Sequence, residues 1–518
     1  MSRLMGAGVV FALVVSTAGV AASRQHDIDA PLWVDAAGRS TADAREALTL
    51  LRNAANEGLD PADYDVAFLD VLAGTLESRQ LPSRHDVARF DAALSDAMVR
   101  YLRHLHGGRV DPRAAGFRMA VPADDHDFAA ILRAAIAGDR LTGTVAEFTP
   151  PLALYRSLRG MLARYRRLAA DPSLERLSPL AAIVRPGDVS AGLHVLHRRL
   201  VAFGDLAADV PAPPEPFVYE GALVDGVKRF QIRHGLEPDG VLGGGTQAAL
   251  RVPLAVRVRQ IELALERLRW LPHPGDKRFV AVNIPMFRLW AWDVIPPDGA
   301  PSFDMGVIVG RALNTQTPVF VEEMRSVIFR PYWNIPWSIA RAETLPAVER
   351  DPEYLPRQNM EIVSGFGDDA RPVPATAENL ARVRQGQLRV RQRPGPNNAL
   401  GLVKFVFPND QNVYMHGTPA VQLFGRFRRD FSHGCVRLED PVALAEWALA
   451  DQPDWPRDRI LAAMHGHATI TVNLRRPIQV ILFYVTAVVM PEDGTVHFAE
   501  DIYRHDARLE KALASRSP

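Results

Sequence analysis

One cysteine occurs in 518 residues, Cys435, and it lies in the run Ser432-His433-Gly434-Cys435-Val436-Arg437. Upstream stands Tyr414-Met415-His416-Gly417-Thr418-Pro419, with fifteen residues between His416 and Ser432. A thiol attacks carbonyl carbon well only as thiolate, and an imidazole that takes its proton gives an ion pair able to react near neutral pH. Two imidazoles compete for that task. His433 is two residues from the sulfur, where loop geometry often turns a side chain away. His416 follows a strand-like run, and a strand holds its end residue rigidly enough for a base that must meet sulfur at hydrogen-bond distance. Cys435 is therefore assigned as nucleophile, His416 as general base and His433 as a supporting group. The N–H groups of Gly434 and Cys435 are the natural oxyanion donors, since glycine leaves the approach open. Arg437 is suited equally to forking onto a substrate carboxylate and to pairing with Glu439 or Asp440.

Cys and His also bind zinc, but the chain has no second Cys, no His at the usual ligand spacing beside the first, and no HExxH-like helix. His465 and His467 form a close pair without identifiable partners and read as a polar turn. No metal or cofactor is expected.

These residues sit in a chain that begins as an exported protein would. Arg3 supplies a basic start, 4–20 is apolar or small almost throughout, and Val20-Ala21-Ala22 resembles a cleavage site, so 1–22 is expected to be a signal peptide. An uncleaved anchor in the inner membrane is the alternative, because the apolar run approaches spanning length. In an oxidising compartment a lone thiol has no internal disulfide partner, which favours a reactive role. Basic and acidic residues balance at 60 each, and that balance disfavours nucleic acid as a partner.

The sequence predicts a multidomain α+β protein. Residues 24–205 read as a helical scaffold, with Phe90, Leu94, Met98, Tyr101 and Leu105 forming one apolar stripe that stops at Gly107-Gly108. Pro211-Ala212-Pro213-Pro214-Glu215-Pro216 reads as a linker. Behind it, 218–272 forms a compact three-helix unit, in which Val224, Val227 and Phe230 face inward and Thr246 is expected to cap the second helix. From 277 the texture becomes β-rich, with strands expected at 279–284, 287–292, 305–309, 327–329, 401–407 and 412–415. A charged, helix-compatible insertion at 338–394 interrupts them, and long insertions near a site often act as lids. The catalytic unit is expected to span 277–475, and 476–518 to supply a buried strand and a tail packed on the scaffold or on the catalytic unit.

The His416-Gly417-Thr418-Pro419 run, its spacing to Ser432 and the Ser432–Arg437 motif together resemble the signature of the L,D-transpeptidase (YkuD-type) catalytic domain. Val309-Gly310-Arg311, Thr317-Pro318, Tyr332-Trp333-Asn334-Ile335-Pro336 and the stretch from Arg393-Pro394-Gly395 to Gly401 resemble the same family. The unit at 218–272 resembles the small peptidoglycan-binding module of cell-wall enzymes, and the whole chain resembles the large three-part members of Gram-negative bacteria. This resemblance implies that Cys435 attacks the third stem-peptide residue of peptidoglycan, releases D-alanine, and passes the thioester to a neighbouring amine to form a 3→3 cross-link. It implies His416 as base, and Ser432, His433 and Gly434 as the shapers of the nucleophile turn and oxyanion site. Tyr414, Gly417 and Arg437 become substrate-facing residues, 338–394 a substrate cap, and 218–272 a contact for wall glycan. Gly417 stands where large relatives often carry Asp, and His433 where some carry Ser. The implied location is the periplasm. Resolution of the thioester by water (an L,D-carboxypeptidase), anchoring of a protein to the wall, and a non-catalytic wall-binding scaffold are the alternatives.

Overall fold

The computed structural model describes residues 31–78, 81–119, 125–174, 183–272, 275, 277–312, 315–365, 367 and 370–515. The expected signal at 1–22 lies outside them. No described helix is long and apolar enough to cross a membrane.

The N-terminal helices form a core of their own. Ser83 caps the helix Arg84–Gly107 by accepting the Asp86 N–H at 3.1 Å, and Gly108, at φ 84°, ends it. Its stripe of Phe90, Leu94, Met98, Tyr101 and Leu105 is buried against Ala42–Arg52, Val66–Leu76 and Phe128–Ala137. The expected helical unit 24–205 is nevertheless divided. Helices Ala153–Ala169 and Leu193–Phe203 pack into a second core, shared with Ala222–Arg233, Gly244–Arg251 and Leu254–Leu268. Bridges Val184↔Leu242 and Val189↔Val218 stitch the chain on both sides of the proline-rich run together. That run is thus a loop within one unit rather than a boundary. Proline excludes helix locally, but it does not decide whether the flanking segments share a core. Thr246 also departs from expectation: Gly243 occupies the cap, while buried Thr246 donates to the Val241 carbonyl and accepts from Gln231.

Among the described residues fifteen strands follow: β1 (Phe279–Asn283), β2 (Arg288–Trp292), β3 (Phe303–Gly310), β4 (Phe320–Phe329), β5 (Trp333–Asn334), β6 (Met360–Ser364), β7 (Arg371–Val373), β8 (Arg389–Gln392), β9 (Val403–Val406), β10 (Met415–His416), β11 (Asp430–Ser432), β12 (Val436–Leu438), β13 (Ile470–Phe483), β14 (Ala487–Val489) and β15 (Val496–Phe498). Nine of them form a sheet in the order β11-β3-β12-β10-β9-β4-β13-β1-β2, and β2 also pairs with β3, so the sheet closes on itself. Its interior holds Val282, Leu289, Val307, Val327, Phe405, Met415, Val436 and Val480, all buried. Alternate residues point outward, and the outer face is covered differently around its circumference. Phe279, Ala281, Trp290, Ile481 and Phe483 pack against the helical core, whereas the outer face of β9, β10 and β12 carries polar side chains.

The expected end of the catalytic unit at 475 falls inside β13, which runs unbroken across the sheet between β4 and β1. Adjacent arginines at 475 and 476 resemble a boundary, yet they coincide with a register shift between Asn473 and Ile478 that leaves both exposed. The insertion differs too. Ala377–Arg384 is helical as expected, but the segment also supplies β6, β7 and β8, which join β5 from just ahead of it in the sheet β5-β8-β6-β7 around a core of Ile335, Leu345, Ile362, Val383 and Val390. It is a mixed α/β body, and its charged outward residues masked the strand alternation.

Burial sets one stability prediction. His104, His416 and His505 are each held down to about 3, and His234 well below its ordinary value, with loss of solvent the largest cause in every case. The folded protein keeps them neutral while the unfolded chain protonates them below about pH 6.5. Their contribution is therefore complete above that pH and lost as pH falls toward 3, by about 1.4 kcal/mol per pH unit for each group. Thermal unfolding should show a melting temperature that declines steadily from pH 6.5 to 4.5; a flat profile would contradict the buried neutral state.

Candidate active site

Strand register builds the site. His416 lies opposite Lys404 of β9 on one side and Arg437 of β12 on the other, while Met415 lies between Phe405 and Val436. The Val436 N–H bonds the Tyr414 carbonyl at 3.1 Å, continuing the register to Tyr414 and Cys435. Lys404, Tyr414, His416, Cys435 and Arg437 thus share the outward face, and the intervening Phe405, Met415 and Val436 are sealed inside. Each inward side chain stabilises this register by about 1.5–3 kcal/mol, and a one-residue slip would turn the cations into the core.

His416 is buried, and its Nδ1 lies 2.5 Å from the Gly417 carbonyl. A carbonyl accepts only, so Nδ1 carries the proton and Nε2 is the acceptor nitrogen of the neutral ring. Burial first, and then the positive charge of Arg437, hold this imidazole down to about 3, against the pull of the Gly417 carbonyl. The half-buried thiol of Cys435 lies 3.8 Å from the Asn412 carbonyl. Burial pushes it up, against the Tyr414 N–H, the Lys404 charge, the Tyr414 hydroxyl and Arg437. Both shifts disfavour a standing thiolate–imidazolium pair. Both groups are thereby favoured in their neutral forms over the ion pair expected from the motif, and among the described residues no hydrogen bond joins the thiol to His416.

The nucleophile turn is pinned from below. Ser432 Oγ donates to the Cys435 carbonyl at 2.5 Å and accepts the Gly434 N–H at 3.1 Å. Gly434, at φ 113°, adopts a conformation that side-chain-bearing residues avoid. Its N–H is consumed by Ser432, so Gly434 shapes the turn and is not the free oxyanion donor expected. The Cys435 N–H has no hydrogen-bond partner among the described residues and remains available. Gly417 also differs from the substrate-facing role expected of it: it is buried, and its carbonyl orients His416. His433 is engaged elsewhere, with Nε2 donating to Glu343 Oε1 at 2.7 Å.

Arg437 makes no ion pair among the described residues. Glu439 accepts the Gly306 N–H, Asp440 caps the helix Pro441–Ala448, and the buried Arg437 Nε has no hydrogen bond. The structural alternative for this arginine is thereby removed. Among the described residues Lys404 likewise has no carboxylate partner, and it rests 3.7 Å from the Tyr414 ring centroid. Burial lowers both cations from their ordinary values, and the Cys435 charge opposes this in each case. Two cations without counterions beside a thiol suit an anionic acyl substrate.

Lys404 and Tyr503 had no motif to reveal them, and Thr317 and Gly310 lay in family-like runs to which no role was assigned. Lys404 is the one polar residue in Leu402-Val403-Lys404-Phe405-Val406-Phe407, a signal that it faces outward but not toward what. Thr317 Oγ1 donates to the Gly434 carbonyl at 2.8 Å and accepts the Gly310 N–H at 2.9 Å. Tyr503, from the C-terminal segment, donates to the Gly310 carbonyl at 2.5 Å and accepts the Thr317 N–H at 3.2 Å. Tyr503→Phe should cost about 1–2 kcal/mol in urea unfolding. It should also lower kcat about tenfold with little change in KM, because it loosens the turn and not the substrate contacts; an unchanged kcat would mean that Thr317 suffices.

Residues 277–472 match the family model described as the L,D-transpeptidase catalytic domain. This stretch is an L,D-transpeptidase catalytic domain. Residues 24–162 match a scaffold domain, and 191–250 match a model described as "Putative peptidoglycan binding domain". That last match begins ahead of the proline-rich loop, as the shared core requires. A Haemophilus influenzae protein named "Putative L,D-transpeptidase" is 31% identical over 256 residues, 49% of this chain and 49% of its own length. The chain thus matches about half the length of this curated relative.

Proposed function

We propose that the chain is an exported L,D-transpeptidase that forms 3→3 cross-links between peptidoglycan stems. One observation carries the reading: Cys435 and a base whose acceptor nitrogen is Nε2 share an outward sheet face with two cations that lack a carboxylate partner among the described residues. The thiol proton passes to His416 Nε2 as sulfur bonds the carbonyl carbon of the third stem residue, and the oxyanion meets the Cys435 N–H. The amide C–N bond then breaks, and His416 returns the proton to the departing amine of D-alanine, leaving a thioester. An amine of a second stem attacks this thioester, gives its proton to His416, and releases the sulfur. Arg437 and Lys404 hold a stem carboxylate during both steps. The module at 191–250 contacts wall glycan, and the site of action is the periplasm.

The test is mass spectrometry of the purified mature protein incubated with a disaccharide-tetrapeptide. A dimer joined through third residues, together with free D-alanine, supports the reading. Tripeptide alone would indicate that water resolves the thioester, and no change at all would favour a wall-binding role.

A further inference from the structure

Among the described residues, one side-chain hydrogen bond links the insertion to the nucleophile loop: His433 Nε2 to Glu343 Oε1, 90 residues apart in sequence. Glu343 lies in the π-helical turn Ala340–Thr344, which runs directly into the helix Leu345–Arg350. Ala340 and Leu345 belong to the insertion's own core, which is separate from the core inside the closed sheet. A body with its own core is free to shift as a unit, and the few contacts at its margin set its position. The nucleophile turn does not need this pair for its shape, because Ser432 and Thr317 already pin it from the opposite side. What the pair holds is the insertion.

We propose that Glu343 is a positioning residue which, through His433, seats the insertion on the nucleophile loop and so sets how closely the site encloses a bound stem peptide. The proposal rests on the reading of Cys435 as nucleophile. It concerns the closure of the site and not the proton transfer.

Because Cys435 is the only cysteine, alkylation of the full chain by iodoacetamide, followed by intact mass, reports this site alone. The experiment compares wild type, Glu343→Gln, His433→Gln and the double variant, with Glu349→Gln as comparator. Glu349 pairs with Arg384 within the insertion and does not reach the site. Opening the seat should speed alkylation about fivefold in either single variant. It should raise KM for D-alanine release from disaccharide-tetrapeptide about tenfold, with a smaller fall in kcat. The double variant should match the singles, because both remove one interaction. Glu349→Gln should behave as wild type. Unchanged alkylation in Glu343→Gln, or effects that add in the double variant, would overturn the proposal. If wild type releases no D-alanine, the functional reading falls, and the alkylation ratios alone decide the role of Glu343.

Discussion

Cys435→Ala is expected to abolish D-alanine release and dimer formation, lowering turnover by at least about 10⁴-fold. No other described side chain on the site face can replace it. Ser432 Oγ is committed to the Cys435 carbonyl and the Gly434 N–H, and Thr317 to the backbone of Gly434 and Gly310. The fold should survive the change, because the turn is held by the Ser432 and Thr317 hydroxyls and the cysteine side chain is only half-buried. A melting temperature close to wild type would separate lost chemistry from lost structure. Residual turnover within about tenfold of wild type would rule out the thioester mechanism.

His416→Gln is expected to lower kcat about 10³-fold while leaving substrate binding within a few-fold, since only proton transfer is removed. The pH dependence carries the sharper test. With His416 held down to about 3, its base form persists through the whole range in which the protein stays folded. The acid limb of kcat/KM should therefore follow unfolding and show no inflection near pH 6.5. Burial pushes the Cys435 thiol up, so alkylation in the free enzyme should climb from pH 6 to 9 without a plateau. A standing thiolate–imidazolium pair would instead give a plateau across neutral pH, and the neutral resting state derived above would then be wrong.

The sequence by itself left one thiol as candidate nucleophile, because Cys435 is the single cysteine, and it favoured His416 over His433 as base because a strand end is stiffer than a loop. Runs rich in β-branched and aromatic residues identified β1, β2 and β9, and helical periodicity identified the stripe from Phe90 to Leu105. Each of these is a local property, written into neighbouring residues as side-chain type or as a period of about 3.6. What the tertiary structure alone decided was every relation between distant segments. Glu343 meets His433 across 90 residues, and Tyr503 reaches Gly310 across 193. Neither contact leaves a periodic trace. The same holds for the proton states, since the neutral thiol and base follow from how much solvent the surrounding elements exclude. The role of Gly434 turned on whether Ser432 Oγ reaches its N–H, a matter of side-chain geometry within one turn. Sequence specified which groups are present and which way each strand faces; only packing fixed which atoms remain free to react, because hydrogen bonding and desolvation depend on neighbours that the chain brings together after folding.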